Sequence, residues 1–232
     1  MVCSKSQSSR PFSLDSDTNI SQEKAPAQKR KRAKRLDPSV RQELIVDAAS
    51  RLVEQRQSAS FTLDEVAAEA GVSRPLVHRY FSCRDSLLQA LLLREFDLII
   101  GTQKGLVPDD VSTAEAHRIY IRRHFEYLKD RGRIYYMLLN EAHAEGGEAS
   151  KLARKFFNRS RTYWIDRKKN DGLREEEAIL GMLMTMSALQ GAESTLRKER
   201  LTVEEASDFW TTFVLAGWEA VAAKSAKSKT ED

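Results

Sequence analysis

Phe61-Thr62-Leu63-Asp64-Glu65-Val66-Ala67-Ala68-Glu69-Ala70-Gly71-Val72-Ser73-Arg74-Pro75-Leu76-Val77-His78-Arg79-Tyr80-Phe81 is the stretch on which the fold turns. Thr62 is an N-cap residue, and Glu65 stands three positions on, so the pair is placed to close a capping box. Phe61 and Val66 fall at the two positions of a hydrophobic staple around the same cap. Gly71 ends this short helix, because glycine adopts the left-handed conformation without a Cβ penalty. Ser73 then caps a second helix, with Val72 and Val77 at its staple positions and Pro75 in the tolerant first turn. Two short helices joined by a tight turn form the pattern in which the second helix enters the major groove of DNA. Val66, Ala67, Ala70, Val72, Val77 and Phe81 are the expected buried set. Arg74, Pro75, His78 and Arg79 are left pointing outward.

Order begins upstream at Asp37-Pro38, an N-cap residue followed by proline at the first helical position. Val40, Leu44, Ile45, Ala48, Ala49, Leu52 and Val53 then recur at helical spacing along one face. A three-helix unit therefore spans 37–81. Downstream the pattern stays helical over roughly 84–104, 112–130, 133–145, 148–169, 175–198 and 203–224. Ser112 to Glu115 and Thr202 to Glu205 are two further capping boxes. Breaks fall at Gly105 to Asp110, Arg131-Gly132, Gly146-Gly147 and Asn170 to Gly172. The expected fold class is all-α, with about nine helices and a frayed polar tail over 225–232.

Composition agrees. The chain has 232 residues, 41% hydrophobic and 31% charged, with only ten glycines and five prolines, so long amphipathic helices are favoured over strands. No run of about 18 apolar residues exists, and Met1 to Phe12 has no apolar core of a secretory signal. Cys3 and Cys83 make neither a disulfide framework nor a metal pattern, and Cys83 reads as a small turn residue. A reduced, cytoplasmic chain without membrane contact is expected. His117 and His124 lie about two turns apart, near 10 Å along one helix, too far to share an ion; His143 stands apart from both. Glycine-rich phosphate loops, nucleophile elbows and metalloprotease motifs are missing, so neither an enzyme nor a cofactor is expected.

Charge is unevenly placed. Residues 1–35 carry nine Lys/Arg against three acids, a net +6 that leaves −2 for the rest of a +4 chain. Lys29-Arg30-Lys31-Arg32-Ala33-Lys34-Arg35 supplies most of it. The segment lacks apolar periodicity and reads as unstructured. It is either a solvated leader or an arm that lies along phosphates or enters a minor groove.

The run from Thr62 to Ser73, followed by Tyr80-Phe81 and by Arg84-Asp85-Ser86-Leu87-Leu88, resembles the signature of the TetR family of bacterial helix-turn-helix transcription regulators. The resemblance covers about 37–90. It implies a DNA-binding domain at 36–83 and a variable ligand-binding and dimerisation domain at 84–224. It also implies a homodimer on double-stranded operator DNA, released when a small molecule binds. Carried over position by position, Thr62, Tyr80 and Arg84 look like phosphate contacts. Where the family often reads Lys-Gly-Thr-Leu-Tyr-His-Tyr-Phe after Val-Ser, this chain reads Arg74-Pro75-Leu76-Val77-His78-Arg79-Tyr80-Phe81. Scaffold positions persist and outward ones change, which suits a shared fold on a different operator. Ser73, Arg74, Pro75, Leu76, His78 and Arg79 complete the DNA-binding set. Either arginine is suited to a bidentate bond to guanine or to a phosphate.

The body is expected to hold the effector. Phe125, Tyr136, Met137, Phe156, Tyr163, Trp164, Met182 and Met186 are the candidate walls of a mainly hydrophobic site. Ile179, Leu183, Leu189, Phe209, Trp210, Phe213 and Gly217 are the candidate dimer contacts on the last two helices. Gly181, Gly191 and Gly217 would allow close backbone approach there. Repression is the expected sign, and a general nucleic-acid-binding protein working through its basic leader is the alternative.

Overall fold

The computed structural model describes residues 37–100, 107–108, 110–198 and 201–231. The basic leader and Cys3 lie outside the described residues. Nine helices occupy the described residues: α1 (Pro38–Arg56), α2 (Leu63–Glu69), α3 (Arg74–Tyr80), α4 (Arg84–Ile100), α5 (Thr113–Arg131), α6 (Ile134–Glu145), α7 (Gly147–Asn170), α8 (Glu175–Lys198) and α9 (Val203–Glu231). No strand occurs among the described residues, so the all-α expectation is met.

The helices begin where side chains can satisfy their first N–H groups. Asp37 Oδ1 accepts from Ser39 N at 2.9 Å. Thr62 and Glu65 close their box in both directions, with Glu65 N donating to Thr62 Oγ1 at 3.2 Å and Thr62 N donating to Glu65 Oε2 at 2.7 Å. Thr202 and Glu205 repeat it. Ser112 accepts from Glu115 N, but Glu115 turns outward to Arg118. Ser73 is the N-cap of α3 by position only, as its hydroxyl makes no capping bond. Gly71 has φ +64°, the left-handed turn its place demanded.

Packing differs from the pattern at both ends of the chain. Val40 and Leu44 are more than two-fifths exposed, because the first turns of α1 project beyond the core that begins at Ile45. At the other end α9 continues to Glu231 rather than fraying after Lys224. Alanines 222, 223 and 226 favour helix there, and Ser225 is buried.

One apolar core joins α1, α2, α3 and α4 to the start of α7 and to Ile134, Leu138 and Ala142 of α6. A second gathers Ile121, Phe125 and Leu128 of α5, Trp164 of α7, Met182 and Leu189 of α8 and Ala206 of α9. Trp218 seals a third, smaller cluster with Leu173 and Val214. Gly181 explains how Trp218 fits. A Cβ there would stand 2.6 Å from ring atom Cζ3, so the indole lies directly on the backbone of α8. The close approach expected of Gly181 between subunits is therefore made within one chain. Among the described residues, nothing lies within 4 Å of a Cβ built on Gly191 or Gly217. Gly181→Ala is expected to destabilise the fold by about 1–3 kcal/mol, the range of core overpacking, read as a lowered urea midpoint at unchanged m-value.

Candidate nucleic-acid interface and effector site

The outer face of α3 assembles most of the residues expected to meet DNA. Val77 is fully buried beneath it, while Arg74, Pro75, His78 and Arg79 are exposed and Leu76 and Tyr80 are half-buried. Arg74 pairs with Asp64 of α2 at 3.1 Å, and both side chains are well exposed. Such a surface pair is worth little and exchanges readily for another anion. Ser73 keeps a free hydroxyl at the start of the helix. Thr62 is exposed, although its hydroxyl and N–H already serve the capping box.

Arg84 does something else. Its Nε donates to Phe61 O at 2.7 Å, and Nη2 donates to Ala59 O and to Glu141, each at 2.7 Å. Nη1 pairs with Glu145, and the guanidinium lies 4.8 Å from the Phe61 ring centroid. The side chain turned toward α6 because the loop between α1 and α2 presents carbonyls that need donors. This corrects the expected phosphate contact: Arg84 ties that loop to α6.

Asp85 beside it was not anticipated. Its carboxylate accepts from Glu148 N and Ala149 N, both at 3.1 Å, and so caps α7. Gly147 (φ +38°) makes room, since a Cβ there would stand 2.6 Å from Asp85 Oδ1. Gly146-Gly147 was the one hint in the sequence, and it gave no partner.

The candidate effector residues do not converge. Trp164, Met182 and Met186 share a cavity with His117, Lys168 and Trp218, but its volume is only about 10 Å³. Phe125 and Tyr136 are buried in the second core, with Tyr163 packed at its edge. Met137 and Phe156 pack on the first core, where Phe156 stacks on Phe96 at 4.3 Å between centroids.

The two histidines passed over as ligands are structural centres of this region. His117 Nδ1 lies 3.0 Å from Thr113 O, and its ring is 4.2 Å from Trp164. The carbonyl accepts, so Nδ1 carries the proton. His124 Nε2 meets Tyr136 OH at 2.8 Å, while Nδ1 has no partner among the described residues. Burial, above all, lowers the pKa of each to about 4, so both are neutral at pH 7.

Of the candidate dimer contacts, Phe209 and Phe213 are 70% and 68% exposed and stack 6.4 Å apart on α9. Leu183 and Gly217 are exposed, and Ile179 and Trp210 are half-buried. Leu180 and Met184, not singled out from the sequence, extend the apolar surface on α8 at 61% and 64%. Leu189 is 1% exposed within the second core, so it does not belong to that surface.

With this geometry described, similarity to known proteins is specific at the N-terminal unit. Residues 45–91 match the family described as bacterial regulatory proteins, tetR family. The HTH-type transcriptional regulator BetI of Brucella abortus (strain 2308) is 41% identical over 80 residues, 32% of this chain and 40% of that protein. The match thus spans well under two thirds of the relative's length. Among solved structures, a TetR-like transcriptional regulator from Rhodococcus sp. RHA1 superposes with a TM-score of 0.62 at 18% identity, covering 79% of this chain and 98% of that one. AibR, solved in complex with isovaleryl coenzyme A and operator DNA, superposes with a TM-score of 0.62 at 16% identity, covering 75% and 97%. At these identities the likeness is one of fold. Residues 45–91 thus match the tetR family, and the helical body shares its fold with the solved structures.

Two measurements test this account of the site. Arg84→Met leaves the carbonyls of Ala59 and Phe61 without their donor and is expected to cost about 2–4 kcal/mol in urea unfolding. Arg74→Ala and Arg79→Ala should stay within about 0.5 kcal/mol of wild type. The histidines set a pH dependence. An unfolded histidine takes up a proton below about pH 6.5, whereas buried His117 and His124 resist until about pH 4. Stability is therefore expected to be complete above pH 6.5 and to fall toward pH 5, by about 2 kcal/mol per histidine. A flat unfolding midpoint between pH 7 and 5 would contradict the assignment.

Proposed function

We propose that the chain is a homodimeric, sequence-specific DNA-binding transcription regulator, a repressor released from a roughly palindromic operator by a small, mainly hydrophobic effector. The observation that carries this reading is the exposed polar face of α3, held on Val77 within a unit that matches the tetR family over residues 45–91. Residues 36–83 form the reader and 84–224 the ligand-binding and dimerisation body. Arg74, His78 and Arg79 contact base edges or neighbouring phosphates, while Ser73, Pro75, Leu76 and Tyr80 line the same face. Thr62 marks the end of α2 turned to the backbone.

The apolar surface on α8 and α9 supports the dimeric reading. Leu180, Met184, Phe209 and Phe213 form an exposed apolar set that a lone subunit gives no packing partner, and a four-helix pairing with a second copy would cover it. Two readers related by a two-fold axis would then address successive major grooves about 34–36 Å apart. An effector that binds better to a different reader spacing lowers DNA occupancy, and only by its differential affinity for the two states. AibR, a structure of this fold, was solved with isovaleryl coenzyme A and operator DNA together, which supports a small-molecule site and a DNA site on one chain.

Selection of bound sites from genomic fragments, with wild type and with Arg74→Ala/Arg79→Ala, tests the assignment. Wild type should enrich one palindromic site and the double variant should lose that enrichment, by about 1–3 kcal/mol for each base contact removed. Equal enrichment by both proteins would sink the role given to α3. Loss of all binding on deleting residues 1–35, with no palindrome preference, would favour the leader-driven general binder instead.

A further inference from the structure

Between α5, α7, α8 and α9 the body buries a cation with little to neutralise it. Lys168 is 3% exposed. Its one ion pair among the described residues, with Asp171, is 3.9 Å long, beyond hydrogen-bonding distance. Its Nζ instead lies 4.4 Å from the ring centroid of Trp218. A buried ammonium without close hydrogen-bond acceptors is an expensive arrangement, and burial draws its pKa down to about 8. The neighbouring Tyr120 hydroxyl is poorly satisfied too, meeting among the described residues only the sulfur of Met186 at 3.9 Å.

These groups line one cavity. Its volume of about 10 Å³ holds at most about one water, and much of its wall is Trp164, Trp218, Met182 and Met186. Methionine side chains are flexible enough to vacate space that a branched residue would hold. Resting on the reading above, in which a small molecule acts on the body, we propose that this cavity opens to take an amphiphilic carboxylic acid. Its carboxylate accepts from Lys168 Nζ, and its apolar part lies between Trp164 and Trp218 where Met182 and Met186 now sit. A single ammonium, with no guanidinium among the described lining residues, suits a singly charged head better than a phosphate, which calls for several donors.

The test uses the full-length protein and matched probes: hexanoate, decanoate, phenylacetate and indole-3-acetate, each beside its neutral primary amide. Binding is followed by calorimetry and by tryptophan fluorescence. At least one acid should bind roughly 10-fold or more tightly than its amide, the worth of one charge-assisted hydrogen bond. Lys168→Met should flatten that ratio, and Lys168→Arg should retain it. Should Lys168→Met fail to fold, pH serves with the wild type, because the acid-to-amide ratio should fall between pH 7 and 9.5 as Lys168 loses its proton. Of the groups that face Lys168, His117 on α5 is already neutral and Tyr120 on α5 keeps its proton to about pH 12. Asp171 beyond α7, Glu219 on α9 and Arg167 on α7 are the other charged groups around it. Equal affinity for acid and amide, a preference that survives in Lys168→Met, or no binding by any probe overturns the proposal. A gel shift with the selected site, run on the same samples, separates this from the regulator reading: intact DNA binding beside absent acid preference rejects the acid site alone.

Discussion

Two consecutive residues at the start of α4 hold the N-terminal unit to the body. Arg84 reaches back to the carbonyls of Ala59 and Phe61 and across to Glu141 and Glu145 of α6. Asp85 reaches forward to cap α7 at Glu148 and Ala149. Neither contact is generic surface pairing. The first gives partners to backbone groups that water reaches poorly, and the second satisfies N–H groups that a helix start leaves open. The position of α3 thereby depends on α6 and α7, since the loop that Arg84 grips leads straight into α2. Apolar packing says the same, because one core is shared by α1 to α4 and by Ile134, Leu138, Ala142 and Ala149.

A second link runs deeper. Glu95 of α4 is fully buried, and Arg131 of α5 meets both its oxygens, Nη2 donating to Oε1 at 2.6 Å and Nε to Oε2 at 3.3 Å. Tyr127 OH donates to Oε2 at 2.9 Å and accepts from Tyr135 N of α6, while Arg131 also donates to Ser50 of α1. Burial and the Glu95 charge push the Tyr127 phenol far above its ordinary range, so it stays a donor. An ion pair of this kind adds little net stability over apolar packing. Its consequence is geometric: four helices share one hydrogen-bonded centre, and shifting α4 against α5 would leave a charge unpaired. Small displacements within the body are thus resisted until the network rearranges as a unit.

What could be read from the sequence divides along a physical line. Caps, staples and turns are local, so Thr62, Glu65, Gly71 and Asp37 disclosed helix starts and stops from neighbours within a few residues. Periodicity separated inside from outside along α3, where Val77 and Arg79 fall as expected. Long side chains are another matter. Arg84 stands where an outward cation fits the pattern, yet it turns inward because carbonyls 23 and 25 residues away want donors, a fact no local pattern contains. Gly181 announced a close approach but not with whom, and Trp218 of the same chain takes the place. Leu189 and Leu183 look alike on an apolar helix, and only the packing of α5 and α9 on α8 buries one and exposes the other. Of the aromatic and methionine positions, six gather in the second core while Met137 and Phe156 pack on the first, a division that spacing along single helices does not contain.

The same division bears on how the body responds to anything that enters it. Well-packed interiors switch between discrete arrangements more readily than they deform, because lost contacts are not recovered by partial movement. The region around Lys168 departs from that tight standard in polar terms: among the described residues there are a buried ammonium, a phenol whose hydroxyl meets a sulfur and, 6.0 Å from that phenol between ring centroids, His124 with Nδ1 unpartnered. Each raises the free energy of the closed form relative to one in which it finds a partner. A molecule that supplied those partners would therefore gain most in an opened state, not in the closed one. The opening proposed above would shift α8 or α7, and α7 begins at the Asp85 cap. The helix whose N-terminus is fixed by the α4 junction is thus also the helix that carries Lys168, so one rigid element joins the buried cation to the residues that hold the N-terminal unit.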